Sequence, residues 1–375
     1  MKAVPNIWIC DDDYRRTELL DIYNTCTYTE RFANRDSWEI SLPRKSPAVP
    51  WLKIGRILHM YDPISDIVRC LILKQINISD DEIRITGNDY AGDLLGQRIC
   101  LSEVSSGTGY DTQSGSRETV IRHFVDTEII NADDSARQDP VLTLAEVDWE
   151  RGGEVAISAR FDVLEDVVAT CCASSLLGWQ AVVVDDASYE WGWRLELQLR
   201  LGVDRSQNQS TESPVTLSEA FGTAKIKDFC DTLPETNFVI VAGQGEGAER
   251  HLVSVGLQSL SGIMRRESFC DARDTSDDDE MATRGYSAIS DAISTSIEME
   301  YLDIGGFSYG SDFTIGDIVT VDAGVCSAYD LQIATVEITW SGGGETTIDL
   351  TLGTEIRDLC RLISDVYSAM PDMRR

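Results

Sequence analysis

Positive charge is in short supply. Of 375 residues, 32 are Lys or Arg against 64 Asp or Glu, a formal net charge of -32. Affinity for nucleic acid comes from neutralising phosphates, so this deficit excludes a protein that grips DNA or RNA on its outside. It permits a wall that nucleic acid slides past without sticking. Arg far exceeds Lys and Asp exceeds Glu, a bias that leans towards a saline host; solubility, salt adaptation and a repelling wall all stay open. Histidine is scarcer still: His59, His123 and His251 lie far apart, none with a metal-ligand spacing. There is no Gly-x-Ser-x-Gly elbow to hold a nucleophilic serine. The ten Cys include no Cys-x-x-Cys and one adjacent pair, Cys171-Cys172, which fits reduced, buried thiols in a protein assembled inside the cell. Long apolar runs are missing too. Met1 to Leu20 carries charges throughout, unlike a signal peptide, and no stretch suits stable membrane insertion. No catalytic residue, cofactor or metal is expected.

What is present is a pattern given twice. The first copy runs Ile54-Gly55-Arg56-Ile57-Leu58, then Leu71 to Ile78, a Ser79-Asp80-Asp81 turn, and Glu82 to Gly87. The second runs Ile315-Gly316-Asp317-Ile318-Val319, then Leu331 to Trp340, a Ser341 to Gly344 turn, and Glu345 to Gly353. Apolar residues at alternate positions between turn residues predict half-buried antiparallel hairpins, hence two similar β modules. Each copy precedes a short helix-like segment, with Asp93-Leu94 in one and Asp358-Leu359 in the other.

Strands are expected at Ile7 to Ile9, Leu20 to Tyr28 and Trp38 to Leu42, with a loop at Pro43, Pro47 and Pro50. Asp11-Asp12-Asp13 lacks the Gly and distant Glu of a calcium loop and reads as a solvated turn. Helices are predicted over Asn88 to Ile99, Arg117 to Asn131 and Phe161 to Ser174, with loops at Ser102 to Ser116, Ala132 to Pro140 and Gln207 to Ser213. Trp179 to Asp185, Thr223 to Phe229 and Phe238 to Ala242 read as strands. Trp193 to Leu201 is the cleanest, with Trp193, Leu195, Leu197, Leu199 and Leu201 on one face and Arg194, Glu196, Gln198 and Arg200 on the other.

Phe238 to Gly247, an apolar strand followed by Gly243, Gly245 and Gly247, suggests a dinucleotide site. That fold needs a helix next, whereas His251 to Val255 alternates like a strand and Glu246 repels phosphate, so a hairpin turn is expected. Two carboxylates could hydrolyse a glycan, yet with so many acids any pair is easily found. Arg265 to Asp274 mixes both signs, suiting a charge-paired contact between modules or subunits, and Asp277 to Glu280 reads as a solvated loop.

Several segments then resemble, in order, the tail hub (tail-associated or baseplate hub) family of long-tailed viruses. They are Ile85 to Asp89, Leu94 to Ile99, Leu201 to Ser206, Gly243 to Arg250, Arg266 to Asp274 and Tyr309 to Val319. The resemblance implies an α+β, β-dominated chain with two tube-like β-barrel modules and a helical insertion, three chains forming a ring of six modules. It divides the chain into a first module (1–105), an insertion (106–178), a β-rich middle (179–265), a second module (266–353) and a C-terminal helix or tail (354–375). The implied role is structural, at the distal end of the virion tail after assembly in the host cytoplasm. Implied partners are further copies of itself, the tail tube or distal tail ring, the tape-measure protein and other tail-tip or fibre proteins, with DNA as transient cargo. Some relatives extend into lytic or receptor-binding domains; about twenty residues follow Gly353 here, too few for one. Contact residues expected from the resemblance and from polar character are Gly243, Gly245, Glu246, Gly247, Arg250, Arg266, Glu267, Asp271, Arg273 and Asp274. A tail-associated hydrolase and a carbohydrate-binding β module are the alternatives. For the latter, Trp191 and Trp193 are the aromatics to examine, with a core role expected for Trp193.

Overall fold

The computed structural model describes residues 4–353, leaving out 102–108, 147–148, 174, 208–213, 232–235, 291–294, 304–305 and 325–327. The expected segment at Asp358-Leu359, the tail at 354–375, and most of the Gln207 to Ser213 loop lie outside the described residues.

The chain opens with β1 (Asn6–Cys10) and β2 (Arg16–Leu20), joined by the Asp11–Asp13 turn, in which the Asp11 carboxylate accepts from the Asp13 and Arg15 N–H groups. Next come β3 (Thr25–Arg31), β4 (Ser37–Pro43), β5 (Ile57–Asp62), β6 (Ile67–Ile78) and β7 (Glu82–Asp89). The single strand expected over Leu20 to Tyr28 is therefore two, parted at residues 21–24 because β2 pairs with β1 whereas β3 pairs with β4. Asp89 caps α1 (Tyr90–Gly96) by accepting from the Gly92 N–H, so the helix is shorter than Asn88 to Ile99. The middle of the chain holds β8 (Asp111–Ser116), α2 (Arg117–Val125) prolonged by a π turn through Ile130, β9 (Leu142–Leu144), β10 (Glu154–Ala159), α3 (Leu164–Cys172), β11 (Leu177–Asp185) and β12 (Trp193–Leu201). Asp111 to Ser116, expected as loop, is a strand because β10 supplies a full ladder along it. The last third holds β13 (Thr216–Ser218), β14 (Ala224–Asp231), β15 (Phe238–Ala242), β16 (Leu252–Gly256), β17 (Glu267–Asp271), α4 (Asp278–Ser290), β18 (Thr295–Tyr301), β19 (Ile318–Asp322), β20 (Tyr329–Ser341) and β21 (Thr346–Gly353). The acidic run Asp278 to Glu280 is thus the first turn of α4, where carboxylates suit the helix dipole, not a loop.

One thirteen-stranded sheet runs through both ends of the chain, in the order β14-β18-β21-β20-β3-β4-β7-β6-β5-β1-β2, with β19 beside β20 and β13 beside β19. The expected pair of barrels is therefore corrected: the sheets are not closed. The cause is β20. Its first residues pair with β19, but Thr335 to Ser341 run on and pair with β21 on one side and β3 on the other. The edge that could have closed the second module is taken by the first.

The two copies nonetheless share backbone detail that alternation alone does not demand. The Gly55 N–H donates to the Leu73 carbonyl and the Leu73 N–H returns to Arg56; the Gly316 N–H donates to Ile333 and the Ile333 N–H returns to Asp317. Both glycines have left-handed backbones, φ +82° and +90°. One step later each ladder slips at a bulge, between Leu73 and Gln75 against β7 and between Ile333 and Thr335 against β21. The same turn, anchor and bulge recur in the same order.

The main core lies on one face of the large sheet, with Tyr28, Ile40, Leu71, Phe313 and Trp340 buried. The insertion has its own core beneath β11 and β12, and a small third core lies between α4 and the β16-β15-β17 sheet. The alternation of β12 appears as expected from Trp193 to Leu199, while Leu201 emerges to solvent.

Candidate assembly interface

The β20–β3 junction sets out how one module joins another. In it Ile338 lies opposite Tyr28 and Val336 opposite Glu30, and all four are buried. The shared bulge aligns Ile338 with Ile78 and Val336 with Ile76, because Gln75 and Thr335 occupy the same place after the slip. The ladders through β4 and β18 likewise align Tyr28 with Phe229. In the equivalent places the partners are missing. Among the described residues β6 pairs beyond Leu73 only with β7, and β14 pairs only with β18. Ile338 is fully buried whereas Ile78 is 63% exposed, and Phe229 is half-buried. Unpaired strand edges carrying apolar side chains are templates for another chain. Sequence reading took Ile76 and Ile78 as ordinary hairpin residues; their alternation past the point where β5 ends was the available signal.

An ionic cluster is built around Glu30 of β3, at this junction. Arg69 of β6 donates to Asp62 at 3.0 and 3.2 Å and to Glu30 at 3.0 Å, and its guanidinium lies 4.4 Å from the Tyr28 ring centroid. Arg200 of β12 donates to the other Glu30 oxygen at 2.8 Å, so Glu30 ties β3 to β12 while lying opposite β20. Burial opposes ionisation of Glu30, but the two guanidiniums overcome it and hold its carboxyl at about 2. Asp36 goes the other way. Burial and the nearby Glu30 charge raise it to about 6, although Tyr28 and the Arg31 N–H donate to it. His59, buried against Trp193 with ring centroids 4.3 Å apart, accepts from Arg16 through Nδ1, and burial lowers its pKa to about 3. Trp193 is thus a core residue, while Trp191 packs between Tyr14 and Tyr189.

The small sheet gathers most of the contact residues expected from sequence. β15 pairs antiparallel with β16 and parallel with β17, so the Gly243 to Arg250 turn and the Glu267 to Asp274 segment meet at one end. The hairpin predicted there is present. Gly243 sits where a Cβ would strike Met281 of α4, and Gly245 has φ +109°. Arg250 bonds the Gly243 and Ala242 carbonyls and Asp271, and Arg273 donates to Asp271 at 2.6 and 2.9 Å. Those hydrogen bonds, Arg273 first, hold the Asp271 carboxyl at about 2. Arg284 of α4 makes a double bond pair with Asp274. Arg266 anchors the sheet's other end, where its carbonyl accepts from Asn237 and Phe238; Glu267 pairs with Arg265, and Glu246 is exposed. A cleft of about 400 Å³ separates α4 from the insertion, lined by Arg160, Asp162 and Asp166 across from Glu280 and Arg284. Among the described residues no group of His, Cys, Asp and Glu could hold a metal ion, and no helix is long and apolar enough to cross a membrane.

No curated protein sequence matches the chain. Three solved structures share its fold over nearly their full length. They are prophage tail protein gp18 from Listeria monocytogenes EGD-e (TM-score 0.57, 11% identity, 97% of this chain and 98% of that one), the prophage MuSo2 43 kDa tail protein from Shewanella oneidensis (0.56, 12%, 93% and 97%), and the tail protein from Neisseria meningitidis MC58 (0.52, 12%, 94% and 97%). Residues 6–354 match the family described as Siphovirus ReqiPepy6 Gp37-like protein, and the chain is not the hydrolase of the alternative reading. By that match the chain belongs to the Siphovirus ReqiPepy6 Gp37-like family.

Proposed function

We propose that the chain is the subunit of a trimeric tail hub, a ring that joins the tail tube to the tail tip and lines the channel through which DNA and the tape-measure protein pass. The observation that carries this reading is the β20–β3 junction inside the chain and its unfilled counterpart at the chain's open edges. Setting the β14 edge of one copy beside the free half of β6 in the next repeats the internal junction, with Phe229 opposite Ile78. A head-to-tail contact of this kind closes when its rotation divides a full turn, and three two-module chains then give six modules.

The face of the large sheet away from the core would line the channel. It carries short hydroxyls and carboxylates, among them Thr27, Thr29, Glu39, Glu337 and Asp349, and its cations Arg84 and Lys227 are paired with Glu39 and Asp349, which leaves DNA phosphates little to hold. Partners at the rims would be the tail tube or distal tail ring and other tip proteins.

Light scattering on the purified chain, at low and high salt and with the tube or distal-tail partner added, tests the reading. The expected result is three times the chain mass, and Ile78→Glu, an exposed change that leaves the fold intact, should yield monomers. A wild-type chain that stays monomeric with the partner present overturns it.

A further inference from the structure

The small sheet has two faces. Val239, Val241, Val253 and Val255 face α4, which in turn packs on β10 of the same chain. The other face bears Ile240 opposite Phe269 of β17, with Leu252 of β16 one pair along, opposite Ala242; among the described residues this strip is left open, with Leu252 58% and Phe269 62% exposed. Arginines flank this strip. Arg265 lies 3.6 Å above the Phe238 ring centroid at one end, and Arg250 with Arg273 clamps Asp271 at the other. An apolar strip rimmed by guanidiniums suits a partner that is apolar at its centre and acidic at its edge.

The topology says where that partner lies. The small sheet and α4 are inserted between β14 and β18, and β14 is the last strand of the large sheet. In the first module the equivalent link, between β3 and β4, places Phe32 directly over Gly316 of the second module. Carried to the open edge, the same geometry places the end of β14, after which the small sheet is inserted, beside the counterpart glycine, Gly55, of the next copy. Around Gly55 the chain exposes Ile54 (55%) and Trp51 (42%), whereas Ile315, which matches Ile54 in the second copy of the repeat, is buried. Beside them stands the acidic Asp11–Asp13 turn, joined to this site by an Arg56–Asp12 bond of 3.1 Å.

We infer that the open face of the small sheet docks on the Trp51–Gly55 turn of the neighbouring copy, with Arg250 and Arg273 facing its Asp11–Asp13 turn. The contact forms a second tier of the ring, and the inference rests on the ring reading above. A benzophenone amino acid placed at position 269, and separately at position 78, tests it in the full-length chain. The expected result is inter-copy cross-links from both, those from 269 mapping to residues 45–60. Cross-links from 78 alone, or from 269 to any other place, overturn the docking while the ring stands. Cross-links from neither overturn both. In parallel, Leu252→Glu with Phe269→Glu should weaken ring association at least about tenfold, and an unchanged association would overturn the docking.

Discussion

The duplicated glycine offers a test with an internal control. Gly55 and Gly316 hold the same place in the two copies, with φ of +82° and +90° and the same pair of hydrogen bonds to the strand ahead of the bulge. Replacing either with Ala forces a Cβ into a left-handed backbone, at about 1–2 kcal/mol. Their surroundings differ. A Cβ at Gly55 meets nothing within 4 Å, whereas one at Gly316 would lie 2.0 Å from Cε2 of Phe32. That ring is itself buried and lies 5.5 Å below the Arg200 guanidinium, so it has little room to retreat, and overpacking of this kind adds about 1–3 kcal/mol. Gly55→Ala should therefore cost about 1–2 kcal/mol and Gly316→Ala about 2–5 kcal/mol. Chemical denaturation monitored by tryptophan fluorescence measures both. Adding Phe32→Leu to Gly316→Ala should recover part of the difference, since the smaller side chain relieves the overlap. Equal costs for the two glycine changes, or no coupling to Phe32, would refute the reasoning.

Two further outcomes concern the ionic cluster. Arg69→Met leaves Asp62 buried without its cation and should cost about 3–5 kcal/mol in denaturant titrations; a loss under about 1 kcal/mol would mean that Asp62 finds another partner. Stability should also rise as pH falls from 7 to 5. Asp36, raised to about 6 from an unfolded value near ~3.9, contributes stability that is fully present below the unfolded value and lost as pH rises through the folded one. Glu30, held at about 2, contributes above its unfolded value of ~4.3 and is lost as pH falls towards 2, so the curve should turn down below about 4. Asp36→Asn should flatten the rise between pH 7 and 5; a rise of unchanged size in that variant would assign it to other acids.

How much of this was legible beforehand depended on the range of the forces involved. β12 could be read within a residue because its five apolar positions alternate without a break, and period 2 is a local property. The repeat was visible for the same reason. β8 was not, since Asp111 to Ser116 has no apolar alternation and is a strand only because β10 pairs with it. Barrel closure failed on a long-range choice: the residues of β20 alternate equally well whether their far edge meets their own module or β3. The contact residues were picked as two separate segments, and their meeting around Asp271 follows from β15 pairing with both neighbours, which spacing in the chain does not reveal.

The reach of β20 has a consequence for how the chain is made. Thr335 to Ser341 cover a strand, Thr25 to Arg31, that left the ribosome about three hundred residues earlier. At typical elongation rates of about 5–20 residues per second, that edge of the first module waits on the order of tens of seconds for its mate. During that interval it is an open strand in a crowded cell, and every nascent copy presents the same one. Its outward side chains are Thr25, Thr27 and Thr29, hydroxyls that water can satisfy while the strand stands alone. The same long-range pairing that makes the two modules one body thus leaves one edge of the first module to be finished by the second.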